Sequence, residues 1–246
     1  MLLQARRPIR FVVLLATFFA LFGATVVART LRDAQETADS PLGRLLLVAV
    51  LIALLISAAS AASTARRTRL IAGTLAAASI ALQVANELVE SQALDLAGHS
   101  VMIAFLGYTT WTILRTLFRP TVVDLETISA SLCAYLLIGL IWSFVYSLVA
   151  LLDPTAFRLP GPDETMAMRG GNGINPLYFS YVTLTTLGYG DIVPTTHAAR
   201  AFAIVEAMVG QLLLVVLVAR LVGLNVAQAG APPAGRQLEP EPEVRP

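Results

Sequence analysis

Long apolar stretches run through most of this sequence and leave few folds open to it. Of its 246 residues, 57% are hydrophobic and only 13% are charged, a composition more apolar than that of ordinary soluble domains. A helix that crosses a bilayer needs about 20 apolar residues. The sequence therefore predicts an all-α membrane protein with six transmembrane helices, at roughly 11–28, 45–62, 70–89, 100–118, 128–152 and 200–223.

The basic residues predict how these helices are oriented. Cytoplasmic loops carry an excess of Lys and Arg, and in this chain every basic residue is Arg. Arginines precede the first helix (Arg6, Arg7, Arg10), lie between the second and third (Arg66, Arg67, Arg69) and lie between the fourth and fifth (Arg115, Arg119). The loop after the third helix is instead acidic, with Glu87, Glu90 and Asp95. Both termini are therefore expected to be cytoplasmic.

The first apolar stretch has a second interpretation, because arginines before an apolar run also describe a secretory signal peptide. Its apolar part is longer than the usual signal core, and no small-x-small cleavage site precedes Arg29. We favour a retained helix. The absence of Lys is typical of a GC-rich prokaryotic genome, and the net charge of +1 gives no support to nucleic-acid binding.

Between the last two apolar stretches, residues 183–191 read Thr-Leu-Thr-Thr-Leu-Gly-Tyr-Gly-Asp. This stretch resembles the selectivity filter of potassium channels, whose commonest form is TVGYG. The core match is 186–190, and Thr183 extends it to the family pattern T-x-x-T-x-G-Y-G. Leu187 departs from the pattern, since the commonest filter has Val there. The resemblance implies a potassium channel subunit and not an enzyme.

The filter chemistry depends on backbone carbonyls, which replace the water shell of a dehydrated cation in stacked rings. Pointing successive carbonyls the same way requires positive φ at some residues, which only glycine adopts without steric cost. Gly188 and Gly190 supply it at alternate positions. The resemblance implies that K⁺ is bound by the carbonyls of Thr186, Leu187, Gly188 and Tyr189, with the Thr186 hydroxyl at the inner end. It implies no cofactor besides the permeant K⁺.

The residues before the filter predict a short re-entrant helix. Asn175 is a good amino-terminal cap with Pro176 at the first helical position, and 177–185 cannot span a bilayer at about 1.5 Å per residue. Its last carbonyls are expected to face the central cavity, where the helix dipole favours a cation. We expect an aromatic collar around Tyr189 and polar support for the filter from Tyr178, Phe179, Tyr181, Thr183, Thr185 and Asp191.

One position before the filter departs from many family members. They carry Glu one residue before the first Thr, and this chain has Val182. A carboxyl pair with Asp191 therefore cannot form, which puts in doubt any filter inactivation that depends on such a pair.

The sixth helix carries three unusual residues, of which two are gating candidates. Gly210 lies 20 residues beyond Gly190 and matches the hinge glycine of the inner helix; the alternative is close helix packing. Glu206 is a carboxyl group at membrane depth, where such groups face a partner or water. It would tie the inner helix to the back of the filter or be protonated. Gln211 is a candidate interhelical hydrogen-bond donor.

Six helices with the filter between the last two resemble the layout of voltage-gated channels. A voltage sensor needs several Arg along its fourth helix, but 99–118 carries only Arg115. We therefore predict a four-helix bundle without sensing charges at 1–119, a pore domain at 120–224 and a disordered Pro/Glu-rich cytoplasmic tail at 225–246. What opens the channel is not evident from the sequence.

Assembly follows from counting carbonyls. Each chain supplies one filter strand, whereas a potassium filter is built from four loops, so we expect a homotetramer in a prokaryotic inner membrane. The expected partners are identical subunits and membrane lipid, without nucleic acid or a soluble protein. Two alternatives remain: the pore subunit of a potassium uptake transporter, although such proteins usually carry four pore loops in one chain, and a non-conducting membrane scaffold.

Overall fold

The computed structural model describes residues 11–20, 66–89, 91–118, 124–159 and 174–229. This part of the chain is mostly helical, with two short strands near the filter. The elements are α1 (Phe11–Ala20), α2 (Arg66–Val89), α3 (Gln92–Leu117), α4 (Leu125–Leu152), β1 (Phe157–Arg158), α5 (Ile174–Leu184), β2 (Val193–Pro194) and α6 (His197–Ala229). The helix predicted at 45–62 and most of the predicted tail lie outside the described residues.

Three helices among these residues are long and apolar enough to cross a membrane: Arg66–Asn86, Leu125–Leu152 and His197–Ala227. They match the third, fifth and sixth predicted spans. α1 is the described part of the first span and is apolar but short. α3, which corresponds to the fourth predicted span, is not among the three; it begins at Gln92, eight residues earlier than predicted, and carries Asp95, His99 and Arg115.

Helices α2, α3 and α4 follow one another as neighbours in space. The turn between α2 and α3 is held by polar groups: the Asn86 amide donates to an Asp95 carboxylate oxygen at 2.6 Å, and the Ser91 amide donates to the Asn86 side chain at 3.1 Å. Deeper in the pair, a Cβ added to Gly98 would lie 3.8 Å from the Leu82 Cβ, an ordinary van der Waals distance. The acidic loop of the sequence is thus a tight helical hairpin.

The first helix packs against the start of α4. The Phe11 backbone N–H donates to a Glu126 carboxylate oxygen at 3.1 Å, and the Cys133 Sγ lies 3.4 Å from the Phe11 carbonyl oxygen. These contacts place Phe11 beside the first turns of α4. Cys133 is a buried side chain of this interface, in agreement with a packing role.

The carboxy-terminal half contains α4, α5 and α6, with α5 packed against both of the long helices. Asp124 caps α4, accepting a hydrogen bond from the Thr127 amide at 2.9 Å, so that the helix begins three residues before the predicted Ile128. β1 and β2 pair antiparallel, with Phe157 opposite Pro194. This small sheet joins the chain that leaves α4 to the chain that enters α6.

The predicted bounds of the last two helices also differ from the structure. α5 begins at Ile174 and ends at Leu184, so Asn175 is not its cap and lies in the first turn with Pro176, where a missing N–H costs no helical hydrogen bond. α6 continues past the predicted end at Gly223 to Ala229, because 224–229 contains neither Gly nor Pro. The tail predicted from 225 is therefore helical over its first five residues.

Candidate ion-conduction site

Along the filter segment, residues with positive φ alternate with residues in the ordinary range of φ. Thr186, Gly188 and Gly190 have φ of 58°, 58° and 79°, whereas Leu187 and Tyr189 between them are not in that left-handed region. In such an alternation the N–H groups of successive residues turn to one side, and the carbonyls consequently turn to the other. The positive φ predicted for Gly188 and Gly190 is confirmed. Each residue from 186 to 190 is exposed in the single chain.

Thr186 was not expected to share this conformation. It is the one non-glycine residue with positive φ in the described part of the chain, and a β-branched residue reaches that region only at a steric cost, typically about 1–3 kcal/mol. The sequence could have predicted this conformation, because the residues that need positive φ recur at every second position. If Gly188 and Gly190 must be left-handed to align carbonyls, the same geometry extends to Thr186.

The amide groups at the inner end of the filter bind the end of α5. The Leu187 and Gly188 amides donate to the Val182 carbonyl at 2.9 and 3.2 Å, and the Thr186 amide donates to the Thr183 carbonyl at 2.9 Å. Thr183 thus supports the filter through its backbone. Because these three amides face α5, we expect the carbonyls of the segment to face the opposite side.

The other carbonyls at the end of α5 also accept hydrogen bonds within the chain. Besides Val182 and Thr183, the Tyr181 carbonyl accepts from the Thr185 amide at 3.0 Å, and the Leu184 carbonyl accepts from the Tyr135 hydroxyl at 3.2 Å. The Thr185 hydroxyl adds a bond to the Tyr181 carbonyl at 2.6 Å. The carbonyls are engaged within the subunit because the filter turns back directly after the helix.

At the outer end, Tyr178 links the helix to the filter. Its ring stacks on that of Tyr189, with centroids 6.5 Å apart and planes inclined by 8°. Its hydroxyl donates to an Asp191 carboxylate oxygen at 2.6 Å. This hydrogen bond, together with that from the Ile192 amide, lowers the pKa of Asp191. Tyr178 therefore gives the Asp191 carboxylate a hydrogen-bond partner, which Val182 cannot provide.

The other two aromatic residues of the predicted collar do not face Tyr189. Phe179 is buried among the rings of Tyr146 and Phe157. Tyr181 donates from its hydroxyl to the Leu136 carbonyl on α4 at 2.5 Å. Neither packs against Tyr189 within the chain. Phe179 is rotated by about 100° from Tyr178 around the helix, whereas Tyr181, three residues on, lies on the same side as Tyr178 but contacts α4 through its hydroxyl. They fix the back of α5 instead.

Two glycines allow α5 to approach its neighbours closely. A Cβ on Gly210 of α6 would lie 2.5 Å from the Leu184 carbonyl oxygen, and one on Gly139 of α4 would lie 2.5 Å from the Tyr181 ring. Both distances are too short for a real side chain. At Gly210 the structure thus supplies the close packing that was the alternative to a hinge, and α6 is continuous through this point.

Gln211 and Glu206 connect α6 to the pore segment. The Gln211 amide lies 3.2 Å from the Thr186 hydroxyl, the group that the resemblance assigns to the inner ion site. Glu206 is fully buried. One of its carboxyl oxygens lies 2.5 Å from the Tyr146 hydroxyl on α4, and the other lies 2.5 Å from the Ser180 hydroxyl on α5. Glu206 therefore ties the inner helix to the helix behind the filter.

Sequence reasoning missed the partners Tyr146 and Ser180. A single Tyr or Ser within an apolar helix does not indicate a partner for Glu206, although a buried Glu needs hydrogen-bond donors from its neighbours. The described residues contain no group of His, Cys, Asp or Glu side chains that could hold a metal ion.

In this region the two long apolar helices α4 and α6 pack against the short helix α5. α5 is followed by a segment in which positive φ recurs at every second residue. The family model described as "Ion channel" matches residues 131–226. Residues 131–226 are therefore similar to the ion channels that this family model describes. Potassium channels are among the curated proteins that the chain resembles.

Two of those relatives are from plants. The chain is 31% identical over 103 residues to two-pore potassium channel 4 of Arabidopsis thaliana, covering 42% of this chain and 35% of that protein. It is 32% identical over 88 residues to two pore potassium channel a of Oryza sativa subsp. japonica, covering 36% and 24%. The voltage-gated delayed rectifier potassium channel KCNH5 of Homo sapiens is 45% identical over 40 residues, covering 16% and 4%.

The chain thus spans about a third or less of the length of these relatives. No solved structure matches the chain.

Proposed function

We propose that the chain is a subunit of a potassium-selective channel that conducts K⁺ passively across a cell membrane. The observation that carries the proposal is the alternation of positive φ at Thr186, Gly188 and Gly190. A strand with its amides bound behind it and its carbonyls on the free edge matches what a dehydrated cation needs. The family model that matches residues 131–226 and the names of the relatives support potassium as the ion.

The membrane arrangement is part of the same proposal. Six spans, with both termini in the cytoplasm and the filter near the outer face, agree with the arginine distribution. The contact between Phe11 and Glu126 supports this arrangement, since the first and fifth spans both begin at the cytoplasmic face in it. A prokaryotic inner membrane remains our proposed location on the strength of the Arg-only composition, whereas the relatives named above come from plants and from human.

We expect the conducting species to be a homotetramer. Each chain contributes one filter strand and hence one carbonyl to each ring, and four are needed; fourfold cyclic symmetry closes the ring with identical contacts. The exposed apolar side chains of α6, among them Ile204, Leu212 and Val215, provide surface for subunit and lipid contacts. Native mass spectrometry in mild detergent tests this, and a dimer as the sole conducting species would contradict it.

Recording from the purified protein in planar bilayers tests conduction and voltage dependence together. We expect unitary potassium currents whose open probability changes little with voltage. Moving one charge through 100 mV provides about 2.3 kcal/mol, so steep gating needs several charges per subunit. Among the described residues, α3 carries only Arg115, in its last turn and stacked 5.7 Å above the Trp111 ring.

Two results of that recording would contradict the proposal. Properly assembled protein without unitary currents would favour the non-conducting scaffold. A conductance–voltage curve as steep as that of Arg-rich channels would show that charges have been overlooked in the first four helices. The transporter alternative is disfavoured by the single filter motif in this chain.

A further inference from the structure

The carboxyl group of Glu206 lies in a closed polar cluster at the junction of α4, α5 and α6. Among the described residues, its oxygens form hydrogen bonds with the hydroxyls of Tyr146 and Ser180, each at 2.5 Å. The Ser180 hydroxyl also lies 2.7 Å from the Gly139 carbonyl oxygen on α4. Glu206 and Ser180 are fully buried, as is Tyr146. The cluster therefore has to satisfy its hydrogen bonds internally.

Counting hydrogens shows what an ionised carboxylate would lack. Three oxygen–oxygen contacts must each contain one hydrogen: Tyr146 to Glu206, Glu206 to Ser180, and Ser180 to Gly139. A carboxylate and a carbonyl have no hydrogen to give, and each hydroxyl has one. With Glu206 ionised, Tyr146 and Ser180 supply two hydrogens for three contacts. Either the Gly139 contact or the Ser180–Glu206 contact would then bring together two bare oxygens.

A neutral carboxylic acid completes the set. Tyr146 donates to one carboxyl oxygen of Glu206, the protonated carboxyl oxygen donates to Ser180, and Ser180 donates to the Gly139 carbonyl. Every contact then has one donor and one acceptor. The chain of three hydrogen bonds runs from α4 through α6 to α5 and back to α4.

We propose that Glu206 is a neutral carboxylic acid and a positioning residue for the filter, acting as a hydrogen-bond donor that locks α5 between the two long helices. The inference rests on the proposed channel function only for its electrical consequence. Ser180 lies two residues before Val182, whose carbonyl holds the Leu187 and Gly188 amides. A shift of α5 at Ser180 therefore displaces the filter strand.

The surroundings contain no charge that would stabilise an ionised Glu206. The titratable groups that face it are tyrosines: Tyr146 in direct contact, and Tyr135 and Tyr181 close enough to interact electrostatically. No basic side chain is paired with it in the part of the chain that the structure describes. A buried carboxylate without a cation is costly, in agreement with the hydrogen count.

Infrared difference spectroscopy of the purified protein tests the protonation state without requiring conduction. At neutral pH, wild type minus Glu206→Gln should contain the carbonyl band of a protonated carboxylic acid. Glu126→Gln removes another carboxyl of the pore domain and should leave that band in place, whereas Ser180→Ala should shift it by removing its acceptor. A carboxylate band in the difference spectrum would overturn the proposal.

The electrical test uses the same variants. Gln can donate to Ser180 and accept from Tyr146, so Glu206→Gln should keep the K⁺/Na⁺ permeability ratio within about twofold of wild type. Glu206→Ala leaves buried groups unpaired and should lower the ratio by about tenfold or more. Raising the pH until the acid ionises should reduce selective conductance in wild type and not in Glu206→Gln.

A Glu206→Gln channel as impaired as Glu206→Ala would overturn the proposal, as would identical pH profiles of wild type and Glu206→Gln. An acid band in protein that carries no current would instead separate the two claims, since it supports the neutral carboxyl group and contradicts the channel function.

Discussion

Replacing Gly188 or Gly190 with alanine is expected to abolish selective potassium permeation. Space is not the reason, because a Cβ at either position would meet no atom within 4 Å of it in the chain. The reason is the backbone, since φ of 58° and 79° strains any residue with a side chain. Strain of about 1–3 kcal/mol at such positions, repeated in each subunit, would turn the carbonyls out of line.

Gly107→Ala provides the matched control for this experiment. Gly107 lies inside α3, its Cβ would also be unhindered, and its backbone is not left-handed. The control should therefore behave as wild type when the reversal potential is measured with K⁺ on one side and Na⁺ on the other. Wild-type selectivity in both filter variants would mean that the ion-binding strand has been misassigned.

The second large effect is expected at Gly210. Alanine there would place its Cβ 2.5 Å from the Leu184 carbonyl oxygen and 2.8 Å from a Leu184 methyl carbon. The carbonyl is backbone at the end of α5, directly before the filter, so relief requires α5 and α6 to separate. We expect Gly210→Ala to reduce the yield of assembled channel and to impair selective conduction in what remains.

Gly223→Ala separates this steric effect from helix propensity. Gly223 lies in the same helix and its Cβ would meet nothing within 4 Å in the chain. Alanine favours a helix over glycine by about 1 kcal/mol, so the control should be at least as stable as wild type in thermal unfolding monitored by size-exclusion chromatography. If Gly210→Ala were equally stable and conducting, the close contact with Leu184 would not matter and a hinge role would gain weight.

The parts of the site that could be predicted from the sequence are those governed by local backbone rules. Gly188 and Gly190 were expected at positive φ because carbonyl alignment demands it, and both have it. Three described helices long and apolar enough to span a membrane coincide with predicted spans. The same local argument reaches Thr186 once the period of two is followed to its start.

What could not be predicted depends on which face of α5 meets which helix. Phe179 and Tyr181 were assigned to the collar because they are aromatic and close to the filter, but in the fold both side chains contact α4. The partners of Glu206 required the crossing of three helices, which no single-helix pattern encodes. Gly210 fits a hinge and a close contact equally well in sequence, and the Leu184 carbonyl distinguishes them only in three dimensions.

The central claim is that Thr186–Gly190 forms a potassium-selective filter, and the bi-ionic reversal potential of the purified wild-type protein in planar bilayers tests it most directly. With K⁺ on one side and Na⁺ on the other, the account predicts a reversal potential displaced far toward the value for a membrane permeable to K⁺ alone. A reversal potential near zero, which means comparable permeability to both ions, would contradict it.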